Sequence, residues 1–345
     1  MLLDALAAGR QIAPLSDRST GFDLDRAYEV AEAILRARMA RGERPAGWKI
    51  GFTNRTIWDE YGVHAPIWGP IYDTTLIAAL DAGDILVIDA GAYIEPRIEP
   101  EIVFRMAATP EPGMDERGLL GCIDAVAHGF EIVQSVYPGW RFAAADTAAA
   151  FGMHGSLVVG PFASVTADNR EAWLDKLARF EIALARDGRE IDRGQAANVL
   201  GGPVAALRHF VRGLAARPVG RGIEPGDLVT TGTVTRAFPV FAGETWATTL
   251  AGIPLPAMRI RFGDALEAAT ARWVTKAAEA RFRFENPQAC DSPTAYEAAM
   301  AAGVEAEAEL SRLLFRDAER LAEARAAIAR RATALADQWK AARKT

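Results

Sequence analysis

Apolar residues recur at helical spacing over residues 21–41, where Leu24, Ala27, Tyr28, Ala31, Ile34 and Leu35 share one face and arginines gather at the C-terminal end. Gly42 and Pro45 close this helix, and AGWKIGFT at 46–53 reads as a short buried strand carrying one lysine, Lys49. From about residue 84 the texture turns to β, with ILVID (85–89), EIVFRM (101–106), FEIVQS (130–135), SLVVG (156–160), FEIAL (180–184), DLVTTGTV (227–234) and AMRIRF (257–262). Segments 115–128 and 196–214 read as the helices between them. Beyond about residue 265 Ala, Glu and Arg dominate. There Ser292-Pro293 reads as an N-cap with proline at the first helical position, and Gly303 as a divider. Leu314, Leu321, Ile328 and Leu335 then recur every seven residues, which predicts a helix packed on its own domain or on a neighbouring subunit.

Many strands with few intervening helices predict an α+β protein with a large mixed or antiparallel sheet. No G-x-G-x-x-G follows a strand and no G-x-x-x-x-G-K-[ST] occurs, so the phosphate-cradling loops of nucleotide enzymes are absent from the sequence. There is no internal repeat.

Composition narrows the function classes. The 345 residues are 50% apolar and 24% charged, with 45 acidic against 39 basic side chains and a net charge of −6. That balance argues against a sequence-independent hold on nucleic acid, which needs a positive surface to displace counterions. Two cysteines, Cys122 and Cys290, exclude a disulfide scaffold and read as reduced thiols of a cytoplasmic protein. Asp4 and Arg10 interrupt the N-terminal apolar run before a signal peptide's hydrophobic stretch can form. The longest uncharged run, Thr147 to Ala167, holds three glycines and Pro161, which makes it strand and turn and not a membrane span. A small-molecule enzyme is the expectation, without nucleic-acid or membrane partners.

The densest acidic feature is IEPRIEPEIVF at 94–104. In a strand, Glu99 and Glu101 point to the same face, where two carboxylates repel unless a positive group neutralises them. A hard divalent cation does this well. Glu131, inside the apolar FEIVQS strand, also asks for a partner. The alternative is a solvated sheet edge on which Arg97 and Arg105 pair these acids, with Pro100 marking an edge or bulge. Lys49 poses the converse question, since it either snorkels outward or stands near the acids as a catalytic cation.

GWKIGFT (47–53), the Glu99-x-Glu101 pair, the Glu131 strand, VLGGPVAAL (199–207) and EPGDLVTTGTVTRAFPVFAGE (224–244) follow the order seen in bacterial 2-keto-4-pentenoate hydratases. The chain resembles these enzymes and the related 2-oxo-3-hexenedioate decarboxylases, both of the fumarylacetoacetate hydrolase superfamily, over residues 20–263. The resemblance implies an N-terminal α/β region (1–75), a mixed β-roll catalytic domain (76–265) and an added helical extension (266–345). It also implies Mg²⁺ or Mn²⁺ on Glu99, Glu101 and Glu131, and Lys49 as an acid/base or electrostatic group. The expected activity is that of a hydratase acting on a 2-keto or 2-hydroxydienoic acid through a dienolate. Decarboxylation of a vinylogous 2-keto dicarboxylic acid, acylpyruvate hydrolysis and a non-catalytic partner subunit stand as alternatives. A homo-oligomer, assembled through the C-terminal helices, is the expected quaternary state.

Several positions depart from the family. The P-D-x-G segment reads Pro66-Ile67-Trp68-Gly69, the Ser-Arg pair reads Ser135-Val136, and the D-t-x-A-D-N-x-S stretch loses its second acid and amide. In that last stretch His154 has appeared, which reads either as a general acid/base or as a core histidine bonded to a backbone carbonyl. Of the other histidines (His64, His128, His209), His128 reads as structural support. The Gly-Ser-Gly-like segment becomes Gly194-Gln195-Ala196, where the Gln195 amide can still take a substrate carboxylate. Tyr137-Pro138-Gly139-Trp140 reads as a turn at the pocket rim that brings Trp140 and Arg141 to the substrate.

Overall fold

The computed structural model describes residues 1–55, 58–61, 63, 65–78, 86–217 and 220–342. His64 and Ile85 lie outside them. The strands are β1 (Pro45–Gly51), β2 (Ile67–Tyr72), β3 (Leu76–Ala78), β4 (Leu86–Asp89), β5 (Arg97–Met106), β6 (Ile123–Val133) and β7 (His154–Val159). They continue as β8 (Ala163–Ser164), β9 (Glu181–Arg186), β10 (Arg189–Gln195), β11 (Leu228–Thr230), β12 (Phe238–Pro239), β13 (Thr245–Ala251) and β14 (Arg259–Gly263). The chain divides into two compact units, residues 1–86 with 90–261, and residues 87–89 with 262–345.

The first unit is built on a mixed sheet in the order β2-β1-β11-β5-β6-β7-β3, with β12 also on β5 and β8 also on β6. The β1–β11 and β3–β7 pairs are parallel and the others antiparallel. A second sheet includes the antiparallel run β10-β9-β13-β14. Strand β6 is buried along almost its whole length. A strand covered on both faces carries no polar alternation, which is why 115–128 reads as helical in sequence. In the structure the helix there is only Glu116–Gly121, begun by the Asp115 cap, and Ile123 already opens β6. The second expected helix forms later, at Pro203–Ala216. Of DLVTTGTV only Leu228–Thr230 is strand.

Strand β5 explains the ambiguous proline. Residues 103–105 pair with β11 and residues 97–98 with β12, so on that side 99–102 face a loop instead of a strand. Pro100, which has no N–H to give, sits in this gap, and its carbonyl accepts from Val234 N–H at 3.3 Å. The glutamates are therefore not on a solvated edge. Arg105 pairs with Asp124 at 2.7 Å instead of with either of them.

The second unit holds the helices Ala265–Glu285, Pro293–Leu313 and Ala318–Ala342. Ser292 caps the second, its hydroxyl accepting from Ala295 N–H at 3.1 Å. Gly303 does not divide that helix. It lies within it, where an added Cβ would come 2.5 Å from Ala280 Cβ, so the missing side chain lets two helices approach. Leu314 and Ile328 are buried in one cluster with Leu321 packed on it, so the seven-residue stripe faces this unit's own core. Leu314 caps the second helix and the others belong to the third, so the stripe spans two helices. Among the described residues no helix is long and apolar enough to cross a membrane.

Candidate metal centre and its cavity

The β5–β6 register places Glu99 directly across from Glu131 and Glu101 across from Gly129. Paired residues share a sheet face, as do residues two apart, so the ladder alone puts all three carboxylates on one side. Each offers an oxygen within 4.8 Å of the others. Glu101 and Glu131 are fully buried, and Glu99 is partly exposed toward a cavity of about 330 Å³.

Their partners come from distant segments. Lys49 does not snorkel: it is 3% exposed, and its Nζ lies 2.9 Å from Glu131 Oε2 while donating to the Gly152 carbonyl at 2.8 Å. His154 Nδ1 donates to Glu131 Oε1 at 2.8 Å, and Nε2 is hydrogen-bonded to the Thr75 hydroxyl at 2.9 Å. Gly232 N–H donates to Glu101 Oε2 at 2.7 Å. Gly232 has φ +92°, and a Cβ there would fall 1.9 Å from Thr53 Oγ1, so only glycine brings this N–H to the carboxylate. Glu101 Oε1 and Glu131 Oε2 are buried without a hydrogen-bond partner among the described residues.

The electrostatics follow from three carboxylates facing one lysine. Burial, with the Glu131 charge, pushes Glu99 up to about 7 against the pull of Lys49. Burial and both neighbouring glutamates raise Glu101 well above the ordinary carboxylate range. Burial would raise Glu131 too, but Lys49 and His154 outweigh it and hold it low. Burial would lower Lys49, but the facing glutamates keep it above its usual value, so it is charged. Burial keeps His154 below the usual imidazole range despite Glu131. His128 is locked by Nδ1–H to the Glu101 carbonyl at 3.0 Å and by Thr248 at 2.9 Å, and burial lowers it to about 4.

This donor set fits a hard divalent cation. It is all oxygen, it carries surplus buried negative charge, and the bare Glu101 Oε1 lacks the partner that a buried carboxylate oxygen requires. Mg²⁺ and Mn²⁺ suit such a site.

Lys49, Glu99 and Thr147 line the cavity together with Phe52, Trp140 and Phe142. Trp140 reaches it from the turn at 138–140 with φ +59°, its Nε1 donating to the Glu95 carbonyl at 3.0 Å. Three of the chain's positive-φ non-glycine residues, Phe52, Trp140 and Met153, line this one cavity, a concentration of backbone strain seen at functional sites. Arg141 and Gln195 are exposed and do not line it. The Gln195 segment instead shapes the 231–237 loop: Asn198 Nδ2 donates to the Val234 carbonyl at 2.8 Å, and Gly194 packs so closely that a Cβ would overlap that carbonyl oxygen. His154 is 2% exposed and does not line the cavity either.

The sequence reading does not single out Arg236, Thr75 or Gly232, and it takes Arg97 only as a surface partner of the acids. Arg97 lines the cavity with its guanidinium 4.2 Å from the Trp140 ring centre and no ion pair to any described residue, and Arg236 lines it nearby. Gly232 is hidden inside an apparent strand. Thr75 lies 79 residues from the histidine it meets, so no local spacing reveals it.

Comparison with known proteins agrees with this architecture. A 4-oxalocrotonate decarboxylase from Pseudomonas sp. is 29% identical over 241 residues, 70% of this chain and 88% of the relative. A 2-hydroxyhexa-2,4-dienoate hydratase from Comamonas testosteroni is 29% identical over 253 residues, 73% of this chain and 92% of the relative. The solved 4-oxalocrotonate decarboxylase from Pseudomonas putida G7, complexed with magnesium and adipate, superposes with TM-score 0.68 at 25% identity, covering 76% of this chain and 94% of that one. The family described as fumarylacetoacetate (FAA) hydrolase C-terminal matches residues 96–283, which include all three glutamates, Trp140 and the 231–237 loop. Since that match spans more than half of its length, the chain belongs to the fumarylacetoacetate hydrolase family.

Proposed function

We propose that this protein is a divalent-metal-dependent lyase that hydrates a 2-keto or 2-hydroxydienoic acid. The observation that carries the reading is the cluster of Glu99, Glu101 and Glu131 within 4.8 Å of one another beside the buried Lys49, with Glu99 and Lys49 lining a cavity of about 330 Å³. The hydratase and decarboxylase relatives, and the magnesium and adipate held by the solved decarboxylase, support it.

Glu99, Glu101 and Glu131 hold Mg²⁺ or Mn²⁺, which supplies a Lewis acid for charge developing on the substrate 2-oxygen. Lys49, kept protonated by the glutamates and fixed by the Gly152 carbonyl, stabilises the same negative charge from a preset position and holds a proton at Nζ. Phe52, Trp140 and Phe142 give the unsaturated chain an apolar wall that limits bulk water. Arg97 and Arg236 make the cavity attractive to an anion.

A second reading, decarboxylation of a 2-keto dicarboxylic acid, is favoured by Ile67. This side chain lines the cavity where the resembling hydratases carry an acid. It offers no base for water, and an apolar wall beside a carboxylate favours its loss as neutral CO₂.

The test is incubation of the purified, Mg²⁺-loaded protein with 2-hydroxypenta-2,4-dienoate, 2-oxo-3-hexenedioate and an acylpyruvate, with products identified by mass. Hydration adds one water to the first substrate, and decarboxylation removes CO₂ from the second. Two fragments from the third would assign a hydrolase, and no turnover of any would sink the lyase reading.

A further inference from the structure

We infer that His154 is a positioning residue that orients the proposed metal ligand Glu131 and thereby sets the divalent-ion affinity of the site. This rests on the reading that Glu99, Glu101 and Glu131 hold the cation. The imidazole has no path to a substrate role: it is 2% exposed, does not line the cavity, and has both nitrogens engaged. What it does touch is Glu131 Oε1, at 2.8 Å.

Binding a cation requires all three carboxylates ionised, and three like charges within 4.8 Å repel, while a glutamate has three rotatable bonds by which to swing out of such a cluster. Glu131 is held from both sides. Lys49 Nζ stands 2.9 Å from Oε2 as an ion pair and His154 donates to Oε1, so a positive charge at one oxygen and an N–H at the other fix the carboxylate plane. Each oxygen has two lone pairs, and one remains on each for a cation. The clamp is anchored in turn. One short segment supplies both holds, the Gly152 carbonyl taking Lys49 and the residue two further on taking Glu131.

Two features aim the ring. His154 opens β7 opposite Val133, where the β6–β7 register shifts and re-aims the side chain. At its far end Nε2 accepts from the Thr75 hydroxyl at 2.9 Å, and that hydroxyl oxygen is fixed in turn by accepting from Tyr72 N–H at 3.2 Å. A rigid ring spanning β7 and the turn after β2 therefore ties one carboxylate of the cluster to the frame. Partners that orient metal ligands in this way change affinity by about 10–100-fold when removed.

Titrating the full-length protein with Mn²⁺ alone, by calorimetry, tests the inference without depending on turnover. Wild type should bind one Mn²⁺, and His154→Ala should bind at least about 10-fold more weakly. His154→Asn, whose amide N–H can stand where Nδ1 stands, should restore binding to within a few-fold of wild type. On whichever substrate is turned over, His154→Ala should raise the Mn²⁺ concentration needed for half activity and leave the substrate KM at saturating metal unchanged. Wild-type affinity in the Ala variant, or an Asn variant as weak as Ala, would overturn the inference and leave the metal reading intact. Wild type that binds no Mn²⁺ would overturn both. If His154→Ala does not fold, Thr75→Val decides: it frees the far end of the ring, and an unchanged Mn²⁺ affinity there would count against positioning.

Discussion

At the scale of single residues, the site is an exchange of charge between groups that burial makes costly to leave alone. Among the described residues Lys49 is the only ammonium in direct contact with the glutamates, so its roles in charge balance and in catalysis separate on substitution. Lys49→Met should lower kcat by about 100-fold or more, as expected for loss of a preset cation or proton carrier. Removing the ammonium lifts a competing positive charge but also frees Glu131 Oε2, so divalent-ion affinity should change far less than kcat. Steady-state kinetics and Mn²⁺ calorimetry on one preparation check both halves. His128 supplies a pH dependence with a definite sign. Its folded value of about 4 lies below the ordinary 6.5, so between these the unfolded chain takes up a proton that the native protein refuses. The contribution of this imidazole is thus full above pH 6.5 and falls by up to about 3 kcal/mol as pH drops toward 4. Glu99 and Glu101, both raised, gain stability on acidification over the same range, so the effect is read as a difference: in parallel thermal melts from pH 7 to 4, wild type should lose stability relative to His128→Gln.

At the scale of elements, backbone pieces do the placing. The 231–237 loop delivers Gly232 N–H to Glu101 in a conformation closed to other residues. Gly232→Ala should destabilise the fold by about 1–3 kcal/mol, since the new methyl must displace Thr53 and hold a left-handed φ. It should also weaken Mn²⁺ binding by pulling the donor from Glu101, and melts combined with calorimetry read both effects. In the helical unit, Gly303→Leu would force apart the helices Ala265–Glu285 and Pro293–Leu313 at their closest approach. Limited proteolysis should then cut residues 262–345 first, with Mn²⁺ affinity unchanged, because the three carboxylates belong to the other compact unit.

At the scale of the whole molecule, the family match ends at residue 283, and about a quarter of the chain lies outside the regions aligned with the hydratase and decarboxylase relatives. What the chain shares with them is the frame that carries the acids. If that frame is a metal enzyme, a bound ion couples to global stability. Mg²⁺ at about 100 times its Kd should stabilise the fold by about 3 kcal/mol. Chelation should reverse the effect, and Glu101→Gln should abolish it, as read by melting temperature at fixed pH.

Some of this is local in origin and therefore legible in the chain. Two-residue periodicity places Glu99 and Glu101 on one face whatever surrounds them, and Ser292-Pro293 starts a helix because a cap acts within one turn. A fully buried strand such as β6 erases the alternation by which strands are recognised, so 123–128 looks helical until its neighbours are known. Gly303 looks like a break until Ala280 lies against it. The pairing of Glu131 with Glu99, the lysine on one of its oxygens, the histidine on the other and the threonine behind that histidine join segments that run from Lys49 to His154. Strand register and burial bring these groups together, and the charge each one carries is set by neighbours that exist only after folding.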